Sequence, residues 1–129
     1  MRGNHLHTEV LIDPLDEAFR SFGATTRRES YVNGGGVVGA VDLLVEQPHV
    51  RIAIEAELSV RRVGRDLEKA AAARADELWI VVPTVRLVRS VRRKLATLRA
   101  APIWLDVFVL TQGQALQRVT NCVSLIAGA

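Results

Sequence analysis

Apolar positions along the chain change their spacing several times, and each change marks an element. Leu15, Ala18, Phe19 and Phe22 recur at helical intervals, which predicts a helix within residues 5–22. Asp13-Pro14 reads as its start, with Asp13 as N-cap and Pro14 at the first helical position, and Gly23 ends it. Residues 6–12 are then either an earlier turn of the same helix, kinked at Pro14, or a separate element. Residues 26–32 read as a strand that carries Glu29, and Asn33-Gly34-Gly35-Gly36 as a hairpin turn. These glycines are not a phosphate-binding loop, because a strand follows them and no Lys-Ser/Thr does. Residues 37–46 and 51–58 form the next two strands, with His49 in the turn between them.

Residues 59–75 read as a helix whose alanines, Ala70 to Ala73, allow close packing on a sheet. Leu78-Trp79-Ile80-Val81-Val82 is continuously apolar and stops at Pro83, the pattern of a central strand covered on both faces. Thr84 caps a helix that runs to about Arg99, with Val88, Val91, Leu95 and Leu98 as its core stripe. Residues 103–110 make another buried strand, interrupted only by Asp106. Beyond Leu110 the pattern weakens. Gln112-Gly113-Gln114 turns into a short edge strand ending near Val119, and the apolar residues from Cys122 to Ala127 pack on their own domain or on a second subunit. Two strand–helix–strand units with buried strands imply right-handed crossovers and parallel pairing. The expected fold is α/β, a single domain over residues 1–129, with a mixed central sheet flanked by helices.

Three carboxylates interrupt the apolar runs. Asp42 lies in Val41-Asp42-Leu43-Leu44, and Glu55 and Glu57 lie in Ile52-Ala53-Ile54-Glu55-Ala56-Glu57-Leu58. Burying an unpaired carboxylate costs several kcal/mol. A bound cation or acid–base chemistry is the usual compensation. Alternation along a strand puts Ala53, Glu55 and Glu57 on one face, with Ile52, Ile54, Ala56 and Leu58 on the other. A turn centred on Pro48-His49 sets Asp42 directly opposite Glu55. Like charges so placed repel unless one takes a proton or a metal lies between them.

Asp42 followed on the next strand by Glu55-Ala56-Glu57 resembles the PD-(D/E)XK nuclease superfamily, the restriction-endonuclease-like fold. The resemblance spans roughly residues 5–110 as an order of elements: helix, three-stranded meander, helix, strand, helix, strand. It implies that Asp42 and Glu55 hold Mg²⁺ (or Mn²⁺). It also implies an acid from the first helix, for which Glu9 ranks ahead of Asp13 and Glu17. The chain departs from the pattern at Glu57, which stands where the family has a Lys that helps to activate the attacking water. Some members carry Glu there, some carry the lysine on the following helix, and others are inactive. Lys69 and Arg65 are candidates for the displaced lysine; otherwise Arg61, Arg62, Arg65 and Lys69 form a nucleic-acid-binding set.

The charge distribution fits a polyanionic substrate or a solvated basic helix face. Residues 1–59 hold five Lys/Arg against nine Asp/Glu, whereas residues 60–100 hold eleven against four. A single cysteine, Cys122, excludes an intramolecular disulfide and suits the cytoplasm. No stretch has the apolar length of a signal peptide core or a membrane span. His5, His7 and His49 lack the company of a zinc site. The expected partner is nucleic acid, DNA ahead of RNA. A homodimer through the apolar tail is compatible with cutting both strands. Two other readings compete with a metal-dependent nuclease: a non-catalytic binding module of the same fold, and an unrelated fold whose acids bind some other cation.

Overall fold

A computed structural model describes the backbone of residues 2–98 and 102–127, and the side chains of residues 9–98 and 102–121. Five strands form one mixed sheet in the order β1-β2-β3-β4-β5, flanked by four helices. The strands are β1 (Thr25–Gly34), β2 (Val37–Gln47), β3 (Val50–Ala56), β4 (Glu77–Val82) and β5 (Asp106–Thr111). The helices are α1 (Arg2–Ser21), α2 (Val63–Ala72), α3 (Val85–Thr97) and α4 (Gln112–Ala127). The first three strands pair antiparallel and the last three parallel, as the hydrophobic pattern predicts. No helix among the described residues is long and apolar enough to cross a membrane.

The sheet divides the core in two. On one face, Ala53, Leu78, Ile80 and Val82 pack against Val63, Leu67 and Ala70 of α2 and Val88 and Val91 of α3. On the other, Ile52, Ile54, Trp79 and Val81 pack against Leu11, Ile12, Leu15 and Phe19 of α1 and Ala115 and Val119 of α4. Every residue of β4 from Leu78 to Val82 is buried, because helices cover it on both sides.

Four boundaries differ from those expected. The first helix does not start at Asp13. It runs from Arg2 through Pro14, since the apolar stripe continues to Leu11 and Ile12 on its N-terminal side. Proline has no N–H to give the carbonyl four residues back. That carbonyl, on Val10, accepts instead from Gln112 Nε2 at 2.6 Å, which ties α1 to α4. Gly23, at φ +88, ends the helix as expected.

The tail after Leu110 is helical rather than an edge strand. Thr111 and Gln114 form a reciprocal cap: Gln114 N donates to Thr111 Oγ1 at 3.2 Å, and Thr111 N donates to Gln114 Oε1 at 2.9 Å. This is a capping box, and the Thr-x-x-Gln spacing that makes it is visible in the sequence. Arg118 on α4 lies 3.8 Å over the Phe108 ring and 5.5 Å from Trp79, which helps to seat the helix. The side chains from Cys122 onward lie outside the described residues.

The last strand begins at Asp106, not at residue 103; Ile103 and Trp104 are exposed in the preceding turn, and β5 is half-covered because it borders the sheet. The second helix begins at Val63 instead of residue 59, leaving residues 59–62 as a turn.

Both hairpins form where predicted. Gly35 (φ +58) and Gly36 (φ +81) supply the two left-handed positions of a tight two-residue turn. Pro48 and His49 form the other turn, and Gln47 faces Val50. One position in the sheet is strained. Glu29 has φ +50, within a strand. It lies between the pairs Arg28↔Leu43 and Ser30↔Val41, level with Asp42. A left-handed conformation costs a non-glycine residue about 1–2 kcal/mol. Glu29→Gly is therefore expected to raise the unfolding free energy by about 0.5–1 kcal/mol, and Glu29→Val to lower it by about 1 kcal/mol or more. Urea denaturation of the two variants checks this; destabilisation by both would show an ordinary strand position.

Candidate active site

Strand alternation breaks at Asp42. Val41 packs on the α2 side of the sheet and Leu43 on the α1 side, although they are two residues apart. The β2–β3 pairing runs as far as Leu43↔Ile54 and stops there. Carboxylates take over from the backbone ladder. Asp42 N donates to Glu55 Oε1 at 3.0 Å, and Ala56 N donates to Asp42 Oδ2 at 2.8 Å. Two amides that would otherwise need strand partners instead hold two acids side by side, in the opposed arrangement that the turn predicts.

The next acid is positioned by β4, because Glu57 N donates to Val81 O at 2.9 Å and extends the parallel ladder by one residue. Glu55 and Glu57 are 1% and 8% exposed. Helix α2 lies over them and adds two charged groups. Asp66 is 1% exposed and stands on the buried stripe Val63, Asp66, Leu67, Ala70. Lys69 Nζ lies 2.6 Å from Glu55 Oε2, 3.9 Å from Asp66 Oδ1 and 2.8 Å from the Ala40 carbonyl, to which it donates. Its approach depends on Gly39, where a Cβ would stand 3.2 Å from Lys69 Cδ and 3.4 Å from an Arg65 nitrogen.

Burial dominates the protonation of these groups. It pushes Glu55 up to about 8, aided by the charge of Asp42 and opposed by Lys69. Asp42 is raised by burial, against the hydrogen bond from Ala56. Asp66 is raised strongly by burial and then by Glu57, with which it shares a hydrogen bond. Both Asp66 oxygens are buried, and the nearest cation, Lys69 Nζ, stands 3.9 Å from Oδ1. Burial works against the ammonium of Lys69, but Glu55 outweighs it and the pKa rises. Lys69 thus stays a cation at neutral pH, beside carboxyls that burial holds toward their protonated forms.

Asp42, Glu55 and Lys69 are brought together, and Glu57 lies beside Asp66. Glu9 lies on α1 next to Val10, whose carbonyl accepts from Gln112 of α4. Asp13 pairs with Arg28, and buried Asp16 accepts from Thr26 Oγ1 at 2.6 Å, so these two acids pin α1 to β1. Arg65 donates to the Val38 carbonyl but stays exposed, as do Arg61 and Arg62 at the start of α2. Two further members, Asp66 and Gly39, do not follow from the strand motif. The signal for Asp66 is an acid on an apolar helical stripe, three residues after Val63 and four before Ala70.

Among the described residues, no three His, Cys, Asp or Glu side chains converge as a ligand set. The adjacent pair Asp42 and Glu55 suits a hard cation that keeps most of its waters, as Mg²⁺ does. Glu55 Oε2 is buried and lies 2.6 Å from Lys69 Nζ, so a cation bound there would share this oxygen with the ammonium. The chain matches no family model, no curated protein and no solved structure.

The sign of the pH dependence follows from the raised carboxyls. Glu55 ordinarily titrates near 4.5 and does so near 8 in the fold, so the folded state binds the extra proton between those values. Its stabilising contribution is complete below pH 4.5 and is lost as pH rises through 8; Asp42 and Asp66 shift in the same direction. In EDTA the melting temperature is expected to fall by roughly 5–10 °C between pH 5.5 and 8.5, and Glu55→Gln to make that slope shallower without abolishing it, because Asp66 keeps its share. A flat profile in the wild type contradicts the buried acid cluster.

Proposed function

We propose that the protein is a metal-dependent nuclease of the PD-(D/E)XK type that hydrolyses phosphodiester bonds in DNA or RNA. The observation that carries this reading is Lys69, placed by α2 against Glu55 and near Asp42 and Asp66. Glu57 occupies the strand position of the family's lysine. Lys69 supplies the missing positive charge from the next helix.

Asp42 and Glu55 would hold Mg²⁺ or Mn²⁺. Such an ion polarises a scissile phosphate and lowers the pKa of a bound water. The residues of the chain have separable tasks around it. The Lys69 ammonium, kept protonated, lies where it can stabilise negative charge developing on the phosphate. It is a poor general base for the same reason. Glu57 is the carboxylate left to accept a proton from the attacking water, with Asp66 beside it. Gly39 keeps the passage through which Lys69 reaches Glu55.

The competing reading is a non-catalytic module, favoured by Glu57 in the lysine position and by an ammonium that already balances the buried acids. A cleavage assay decides between them. Plasmid, linear and branched DNA, and RNA, are incubated with Mg²⁺ or Mn²⁺ and with EDTA. The nuclease reading predicts metal-dependent cutting that Glu55→Ala abolishes and Lys69→Met lowers by about 10²-fold or more. Binding of nucleic acid in low salt without cutting favours the module. Cutting that survives Glu55→Ala marks a contaminant and removes the support for a nuclease.

A further inference from the structure

The strongest concentration of unpaired charge lies outside the acidic site, on α3. Its sequence, Val85-Arg86-Leu87-Val88-Arg89-Ser90-Val91-Arg92-Arg93-Lys94-Leu95-Ala96-Thr97, has five cations and no acid. All five are exposed, and among the described residues none forms an ion pair. The helix is amphipathic, and its apolar side is spent on the core: Val88 and Val91 are buried against the sheet and α2. At about 100° per residue, Arg86, Arg89 and Arg93 fall within about 60° of one another, directly away from that buried stripe, with Arg92 and Lys94 flanking them. They form a line about 10 Å long at about 1.5 Å per residue, with steps of roughly 4.5 and 6 Å.

Surplus cations of this kind are selected by a polyanion, and the surroundings narrow the class. A membrane surface is disfavoured, since an interfacial helix inserts its apolar face and α3 has already buried its own. A sequence-tolerant single-strand binder uses aromatic platforms, and α3 has no aromatic residue. Four of the five cations are arginines, whose forked donors match phosphate oxygens. The position also fits. The Thr84 cap of α3 is three residues beyond Val81, whose carbonyl holds Glu57 N, and Leu98, its C-cap, has Cδ1 3.7 Å from where a Cβ on Gly64 of α2 would stand.

We infer that the exposed face of α3, centred on Arg86, Arg89 and Arg93, is a docking surface for the phosphate backbone of a nucleic-acid duplex. This inference rests on the nuclease reading only for the choice of nucleic acid as the polyanion. It adds phosphate contacts on α3 to those open to the exposed Arg61, Arg62 and Arg65, whereas Lys69 of α2 is turned inward. The docking is to backbone rather than bases, so it is independent of sequence and steeply dependent on salt.

The test is fluorescence anisotropy of a labelled 20-bp DNA duplex in EDTA, titrated with full-length protein between 50 and 200 mM KCl. The triple variant Arg86→Gln/Arg89→Gln/Arg93→Gln keeps helix propensity and touches neither the core nor the acidic site. It is expected to bind at least about tenfold more weakly at 100 mM KCl. The slope of log K against log salt is expected to become shallower by about 2–3, or about 0.9 for each phosphate that is no longer neutralised. Arg27→Gln/Arg74→Gln removes exposed cations elsewhere and is expected to leave both quantities nearly unchanged. An unchanged slope in the triple variant, an equal loss per charge in the control, or a preference for anionic lipid vesicles over duplex overturns the inference. Failure here is separable from failure of the nuclease reading. Metal-dependent cutting with binding insensitive to the triple variant overturns the docking surface alone. Duplex binding through α3, with no cutting under any metal condition, overturns the nuclease alone.

Discussion

Two amide-to-carboxylate hydrogen bonds at the end of the β2–β3 pairing make the acidic cluster tolerable. Asp42 N to Glu55 and Ala56 N to Asp42 each satisfy a backbone donor and a carboxylate oxygen together. A buried carboxylate without such partners costs several kcal/mol. With them, two acids remain adjacent inside a strand pair, though still with raised pKa values because burial outweighs the hydrogen bonds. The strain at Glu29 and the break in alternation at Asp42 stand at the same level of the hairpin. β1 and β2 are distorted where Glu29 and Asp42 lie, while β3 keeps its register with β4 through Glu55.

Helix α2 completes the cluster from above. Its buried stripe fixes its rotation, so Asp66 must face the sheet and Lys69, three residues on, must reach over β2. The small residue at Gly39 leaves the side chain room to pass. The ammonium offsets part of the local negative charge, and Asp66 offsets more by retaining its proton. Electrostatic balance and helix packing are thus the same constraint. Moving α2 along the sheet by one residue would separate Lys69 from Glu55 and leave both charges poorly matched.

Much of the fold is legible in the sequence because the two periods of the chain are clean. The Leu78 to Val82 run marks a strand between two helical layers, and the glycines at 35 and 36 mark a tight turn. That Asp42 and Glu55 lie at the same level follows from the turn position, but the break in alternation and the hydrogen bonds that hold them do not follow from the strand period. What is not legible depends on contacts between distant parts of the chain. Pro14 looks like a helix start until Gln112, about a hundred residues later, takes the carbonyl it leaves open. The carboxyl-terminal helix resembles a strand unless weight is given to the Thr111–Gln114 cap, which needs no distant partner. Lys69 groups with the surface cations of α2 because sequence shows spacing but not the gap at Gly39 through which it turns inward.

The central claim is that Asp42 and Glu55 form a cation site alongside Lys69. Anomalous diffraction from crystals soaked in Mn²⁺ tests it most directly. The account predicts one peak within bonding reach of both Asp42 and Glu55, with Lys69 still paired to Glu55, and no peak in crystals of Glu55→Gln. An empty cluster at millimolar Mn²⁺, with the Lys69 ammonium as the sole cation in it, would contradict the claim.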